Sequence, residues 1–372
     1  MAVVDIETLQ QAHPEAIPEP PGPGRDWGAL AVKIGWGFLA LGLFVGSLQI
    51  MKAGAEALIP ALSGSVFTDN AWSTLGLGWL GACIVLSGSP MAASSIALLD
   101  GGAVSRSQAF TMLTGSRLGA SFVVLVVGVI YALRRRGGRR APLSIGILSL
   151  TMTVIAYVPG ALIGFVLLRA GMFDGVSVAA PPGLLSVTDT LFGWMADLAR
   201  ILVPDWGLFP VGLGVLLVAF KLFDKVLPDL GGDDVAARRA AWFGRPWAMF
   251  ACGCAVAFMT LSVSVALTVL VPLVAKGYLK REHTLPYIAG ANITTLADTL
   301  VLAMLTGNPD ATRVVLASTL GVTVWTVALL AFAFPAVRRM AMGLARSTVS
   351  SRPRLALFIG VLFAVPFSLI LV

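Results

Sequence analysis

Leu86-Ser87-Gly88-Ser89 is followed, 29 residues after its leucine, by Gly115-Ser116-Arg117-Leu118-Gly119-Ala120-Ser121. The arrangement returns in the second half of the chain. There Leu261-Ser262-Val263-Ser264 precedes Gly290-Ala291-Asn292-Ile293-Thr294-Thr295 by the same 29 residues, so both motifs recur at an offset of 175. Each is a hydroxyl-bearing, glycine-marked break inside apolar sequence. Irregular backbone at membrane depth is tolerated only where protein or a water-filled cavity surrounds it. Two such breaks in constant register point to a buried site built from both halves.

The surrounding sequence is that of a membrane protein. Of 372 residues, 57% are hydrophobic and 12% charged, with a mean hydropathy of +0.89. A soluble domain carries about twice that charge. Several apolar runs exceed the roughly 18 residues that a helix needs to span hydrocarbon. No strand-length segment alternates with period two, which disfavours a membrane β-barrel. The expected fold is an all-α integral membrane protein. Its formal charge of +7 sits largely in arginine clusters between apolar runs, which reads as orientation in a bilayer rather than nucleic-acid binding. Cys83, Cys252 and Cys254 lie in apolar segments, and His13 and His283 have no ligand partner at useful spacing. Neither a disulfide framework nor a metal cofactor is expected.

Residues 1–25 hold Pro14, Pro18, Pro20, Pro21 and Pro23. They read as a disordered cytoplasmic tail without the apolar core of a signal peptide. A first repeat covers 26–170: a span at 29–50, an interfacial stretch at 52–71, apolar sequence at 73–88, and a re-entrant hairpin at 91–114 turning at Asp100-Gly101-Gly102. A span at 116–133, the Arg134–Arg140 loop and the apolar segment 141–170 complete it. Residues 171–204, with Asp189, Asp197 and Arg200, read as an extracytoplasmic connector with an interfacial helix. A second repeat covers 205–336, and 337–372 holds a basic cytoplasmic loop (338–354) and a last span.

The halves align from their first residues, since Asp26-Trp27-Gly28 returns as Asp205-Trp206-Gly207. Their charges are opposed. Arg134–Arg140 follows the first hairpin, whereas the equivalent region near Asn308 has only Arg313 beyond it. Conversely, 229–247 carries Arg238, Arg239 and Arg245 where 52–71 has only Lys52. The positive side swaps between halves, so the expected architecture is two inverted-topology repeats with broken helices and re-entrant hairpins. That implies a multi-pass protein of the cell membrane with a cytoplasmic N-terminus.

Inverted repeats with broken helices form substrate sites near the bilayer midplane, where helix ends offer unpaired N–H and C=O groups. Ser87, Ser89, Ser262 and Ser264 would add hydroxyls; one such motif alone would read as close helix packing. Asn292, Thr294 and Thr295 offer neutral oxygens for a hard cation or donors for an anion, and Thr268 stands one turn beyond Ser264. Lys33, Asp100, Arg117 and Asp298 interrupt apolar sequence, where charges usually pair or face a bundle interior. Lys33 is placed to snorkel from a helix end. Arg117 and Asp298 belong to equivalent motif regions and read either as a central ion pair or as an anion-binding guanidinium with its neighbour.

These residues resemble the type II sodium-phosphate cotransporter family, which carries two Gln-Ser-Ser-Ser motifs, each followed by a Gly-(Ala/Ser)-Asn-Ile-Gly-Thr-like motif. Leu86 to Ser89 and Leu261 to Ser264 fall on the first pair; Gly115 to Ser121 and Gly290 to Thr295 fall on the second. The likeness extends to the first span, Pro272 to Pro286 and the Arg338 to Leu344 segment. The chain departs by placing Leu86 and Leu261 at both glutamines, Gly88 and Val263 at the middle serines, and Arg117 at an asparagine. The resemblance implies sodium-coupled symport of inorganic phosphate by alternating access, with Na+ as the coupling ion. Ser87, Ser89, Arg117, Ser262, Ser264, Asn292 and Thr295 would take the anion, and Ser121, Thr294 and Asp298 the cation. The alternatives are an anion carrier in which Arg117 replaces a sodium ion, a non-transporting sensor, and a membrane phosphatase. The last would need paired carboxylates, and Glu56 and Glu282 are the only glutamates beyond the tail.

Overall fold

The computed structural model describes residues 27–62, 65–134, 140–176, 182–226, 245–260, 263–275 and 279–372. Among them every regular element is helical, and six helical stretches are long and apolar enough to cross a bilayer. The chain is an all-α, multi-pass membrane protein. The expected tail 1–25, most of the 134–140 and 229–247 loops, Leu261, Ser262 and the side chains of Lys33 and Asp189 lie outside the described residues.

The first half runs α1 (Trp27–Leu62), α2 (Ala71–Val85), α3 (Gly88–Asp100), α4 (Arg106–Ala120), α5 (Phe122–Arg134) and α6 (Arg140–Arg169). After α7 (Pro182–Leu202), the second half runs α8 (Asp205–Val226), α9 (Pro246–Thr260), α10 (Val263–Thr268), α11 (Leu270–Ala275), α12 (Thr284–Thr294), α13 (Leu296–Leu305) and α14 (Pro309–Ala328). A π-helical turn, Leu329–Ala333, leads into α15 (Phe334–Ser350), and α16 (Arg352–Ile370) ends the chain.

Local chemistry sets these boundaries. Asn70 and Ser73 form a reciprocal capping box at the start of α2, and Ser105 and Gln108 form another at α4; each pair serves backbone donors that a helix start leaves unpaired. Pro272 has no N–H to donate to the Thr268 carbonyl, which accounts for the turn at Val269 that splits α10 from α11 where α3 is continuous.

Three sequence expectations change. Residues 52–62, set apart from the first span in the sequence, continue α1, because Ala53, Ala55, Glu56, Ala57 and Leu58 are good helix formers. The span expected at 116–133 is interrupted at Ser121. The basic loop 338–354 is mostly helix α15: arginine favours helix, and Val337, Ala341, Ala345 and Thr348 form its buried stripe.

The 175-residue offset recurs in the structure. Residues 71–85 and 246–260 form helices α2 and α9, and 88–100 and 263–275 form the elements that follow them. Each half packs its helix pair through the same two glycines. A Cβ on Gly78 of α2 would collide with the Met112 carbonyl of α4, and one on Gly253 of α9 with the Tyr287 carbonyl of α12. In return, a Cβ on Gly115 would strike the Leu75 carbonyl, and one on Gly290 the Phe250 carbonyl. Small residues permit this close approach, which drives helix association where lipid offers no hydrophobic gain.

The halves then pack on each other. Helix α1 lies along α8, with Gly54 against the Phe209 backbone and Gly212 against Met51. Helix α6 lies along α14, with Gly164 against Ala317 and Gly160 against Val322. Across the interface α3 packs on α13, and α10 packs on α5.

Candidate functional site

Two kinds of helix break meet in the interior. The first separates α2 from α3 at Leu86 and Ser87. Leu86 caps α2 with φ +58°, the sole non-glycine residue in the left-handed region among the described residues. For an L-residue this conformation costs about 1–2 kcal/mol, and such strain persists where the surroundings enforce it. Here the two-residue link forces it, and the Leu86 carbonyl accepts a bond from Ser264 Oγ of the other half (3.2 Å). The two Leu-Ser-X-Ser segments therefore touch. Ser87 is the N-cap of α3 without a side-chain capping bond, and Ser89 is buried. Gly88 lies against α4 at Ser116 and Ala120, either side of Arg117 in sequence; a Cβ there would stand 2.9 Å from the Ser116 carbonyl and 2.7 Å from Ala120 Cβ.

The second kind of break falls at Ser121, between α4 and α5, and at Thr295, between α12 and α13. These breaks create helix ends that hold two charges. Arg117 lies in the last turn of α4 and Asp298 in the first turn of α13. A cation at a helix C-terminus and an anion at an N-terminus are each favoured by the helix dipole. The two side chains meet across the halves, with Arg117 Nη2 3.3 Å from Asp298 Oδ1 and their side chains 1% and 7% exposed.

The geometry of this pair is one-sided. Nη2 also donates to Thr299 Oγ1 (2.6 Å), while Asp298 Oδ1 accepts from the Thr299 amide (2.6 Å) and hydroxyl (2.9 Å). Arg117 Nε and Nη1 and Asp298 Oδ2 are buried without a protein partner. A guanidinium commonly engages a carboxylate through two parallel bonds. Here it uses one nitrogen and leaves three of its five N–H donors free. Leaving a buried polar group unpaired costs about 1–3 kcal/mol, more for charged ones. The arrangement can offer those donors to an oxyanion and Oδ2 to a cation.

Helix α6 joins the breaks by hydroxyls. Ser121 and Thr153 share a 2.6 Å bond, and Asn292 Nδ2 donates to Thr153 Oγ1 (3.0 Å). The Asn292 carbonyl accepts from Tyr157 (2.6 Å) and Thr295 (3.1 Å). Thr294 instead bonds back to the Gly290 carbonyl of its own helix (3.3 Å). Of the expected residues, Arg117 and Asp298 form one cluster, Ser121, Asn292 and Thr295 a second, and Ser264 reaches the first break. Ser262 lies outside the described residues. Ser121, Thr294 and Asp298, expected to share a cation, have separate partners and no bond to one another. Asp100 lies apart and accepts from Asn308 (3.3 Å).

Sequence reading missed Thr299, Thr153 and Tyr157. The last two stand four apart on an apolar helix, hence on one face, and that spacing was the available signal. With this geometry in place, comparison with known families bears on the second half directly. Residues 215–367 match the Na+/Pi-cotransporter family model. The match runs from within α8 into α16 and takes in Ser264, Asn292, Thr294, Thr295 and Asp298. Arg117 and the first Leu-Ser-X-Ser copy precede it, joined to the matched half by the 175 offset and its glycine packing. No curated protein and no solved structure matches the chain.

Proposed function

We propose that the chain is a secondary active transporter that carries inorganic phosphate with sodium. On this reading 26–170 and 205–336 are inverted repeats in a cell membrane, the N-terminus is cytoplasmic, and alternating access operates at the midplane between them. The observation that carries it is the buried Arg117 guanidinium with unpartnered Nε and Nη1, on the helix whose Ser116 and Ala120 lie against Gly88. Planar guanidinium donors match phosphate oxygens, and the start of α3 adds backbone N–H groups. Ser87, Ser89, Ser262, Ser264, Asn292 and Thr295 complete the anion's surroundings. The family match over residues 215–367 supports phosphate as the cargo.

Coupling follows from charge. Asp298 offsets Arg117, so the pair is neutral before substrate arrives. A phosphate then brings net negative charge into a low-dielectric interior, where uncompensated charge is expensive. A mobile cation is therefore required, and the unpartnered Asp298 Oδ2 offers it a hard oxygen ligand suited to sodium. The alternative in which Arg117 itself substitutes for sodium loses force, because its charge is already matched. Arg117 being 2% exposed, the site is closed to solvent in this arrangement, and substrate reaches it through movement of one half against the other.

The test is flux into proteoliposomes holding the purified full chain, offered phosphate, arsenate, sulfate and carboxylates with and without a sodium gradient. Phosphate, and arsenate of like shape and charge, should accumulate only when sodium is present outside. Uptake indifferent to sodium would overturn the coupling, and equal uptake of carboxylates would overturn the substrate class.

A further inference from the structure

A cavity lined by arginines lies away from the central pair. Along α15, Arg338, Arg339, Met342, Gly343 and Arg346 line one side of an open cavity of about 230 Å³, and Glu282 closes it from the start of the α12 segment. Those five α15 positions share one face of a 3.6-residue helix. The lining carries three arginines against one glutamate. Glu282 pairs with Arg338 at 3.5 Å and lies 3.9 Å from His283, which leaves Arg339 and Arg346 without an ion pair among the described residues. Gly343 has nothing within 4 Å of where a Cβ would stand, so no packing within the chain requires a glycine there, and a side chain would fill the cavity instead.

The position of α15 identifies the surroundings of this cavity. Val337, Ala341 and Ala345 face the core, while Met340 and Leu344, one turn apart on another face, are exposed. A helix with an arginine face and an exposed apolar face belongs at a membrane surface. The same end of the bundle gathers further positive charge. Arg281 reaches Ser144 in the first turns of α6 (3.4 Å). The opposite end differs: there Arg106 and Arg313 are matched by Asp174 and Asp310 at 3.0–3.9 Å.

We propose that the α15 cavity binds the phosphodiester headgroup of an anionic phospholipid from the adjoining leaflet. Arginine forks recognise phosphate oxygens, and basic pockets between membrane helices take acidic headgroups. Free phosphate shares this chemistry, but only a phospholipid also brings acyl chains to the exposed apolar face of Met340 and Leu344. The apolar sector beside the arginines receives the acyl chains. This site is separate from the transport site and stands on its own observations.

The experiment uses delipidated full-length protein in detergent, titrated with dioctanoyl phosphatidylglycerol, dioctanoyl phosphatidylcholine or inorganic phosphate. Retained lipid is counted by native mass spectrometry and the melting temperature is followed. One phosphatidylglycerol should be retained and should raise the melting temperature; phosphatidylcholine should do neither. Arg339→Gln with Arg346→Gln should weaken phosphatidylglycerol binding about 30-fold, the order expected for two arginines at an anionic surface. Gly343→Leu, which blocks the cavity without altering charge, should also weaken it, and it decides the matter alone if the double variant does not fold. Equal retention of phosphatidylcholine, or wild-type affinity in Gly343→Leu, overturns the proposal. Displacement of phosphatidylglycerol by equimolar inorganic phosphate overturns it in favour of a free-phosphate site.

Discussion

Neutralising one partner of the Arg117–Asp298 pair is the most informative perturbation of the interior. Asp298→Asn leaves a guanidinium 2% exposed with no counter-charge. Breaking a buried pair from one side costs about 3–5 kcal/mol, because a lone charge remains buried. Arg117→Gln should fall at the lower end, about 3 kcal/mol, since the Thr299 amide and hydroxyl still serve Asp298 Oδ1. The double variant removes both charges and keeps both side chains near their original volume. Replacing a whole buried pair is often nearly neutral, so it should lie within about 2 kcal/mol of wild type and above at least one single variant. The assay is a double-mutant cycle from reversible unfolding in mixed micelles, with melting temperatures as a second readout. Costs that add, leaving the double variant worst of the three, would refute direct pairing between the halves.

Further outcomes follow from the same geometry. Ser264→Ala removes the bond to the Leu86 carbonyl and should raise the apparent KM for phosphate roughly fivefold, the effect of one hydrogen bond; Ser89→Ala should act likewise in the same uptake assay, and unchanged kinetics in both would make Leu-Ser-X-Ser a packing device. Gly115→Val and Gly290→Val each drive a side chain into a facing carbonyl and should cost about 3 kcal/mol or more, read as loss of the monodisperse peak in size-exclusion chromatography; tolerance at one site only would contradict equivalent packing. Tyr157→Phe should lower stability by about 1 kcal/mol, since the Asn292 carbonyl keeps its Thr295 donor. Arg106→Ala, with a side chain 46% exposed, should cost less than about 1 kcal/mol and lose that effect in high salt.

The sequence carried the all-α membrane class because its signals are local. Composition decides membrane against soluble, and a constant 175 offset exposes the repeat without knowledge of any contact. The same offset located Arg117 and Asp298 in related regions, and the structure joins them. Details that depend on which face a residue presents were less accessible. Thr294 looks like a ligand in a hydroxyl-rich motif, yet it bonds its own helix. Thr153 and Tyr157 sit in an apparently featureless span, and only packing of α6 against both breaks brings them to Asn292. The basic 338–354 segment reads as a loop by charge, but its alanines four apart already marked a helix with a buried stripe.

The central claim is that Arg117 holds the transported anion while Asp298 keeps the empty site neutral. The most direct measurement is labelled phosphate uptake, under an inward sodium gradient, by proteoliposomes containing Arg117→Gln with Asp298→Asn. This variant keeps a neutral interior and should retain the fold, so lost uptake would not reflect unfolding. The account predicts a correctly melting protein with phosphate uptake at the level of empty liposomes. Wild-type uptake by that variant would contradict it and reduce the pair to a structural tie between the halves.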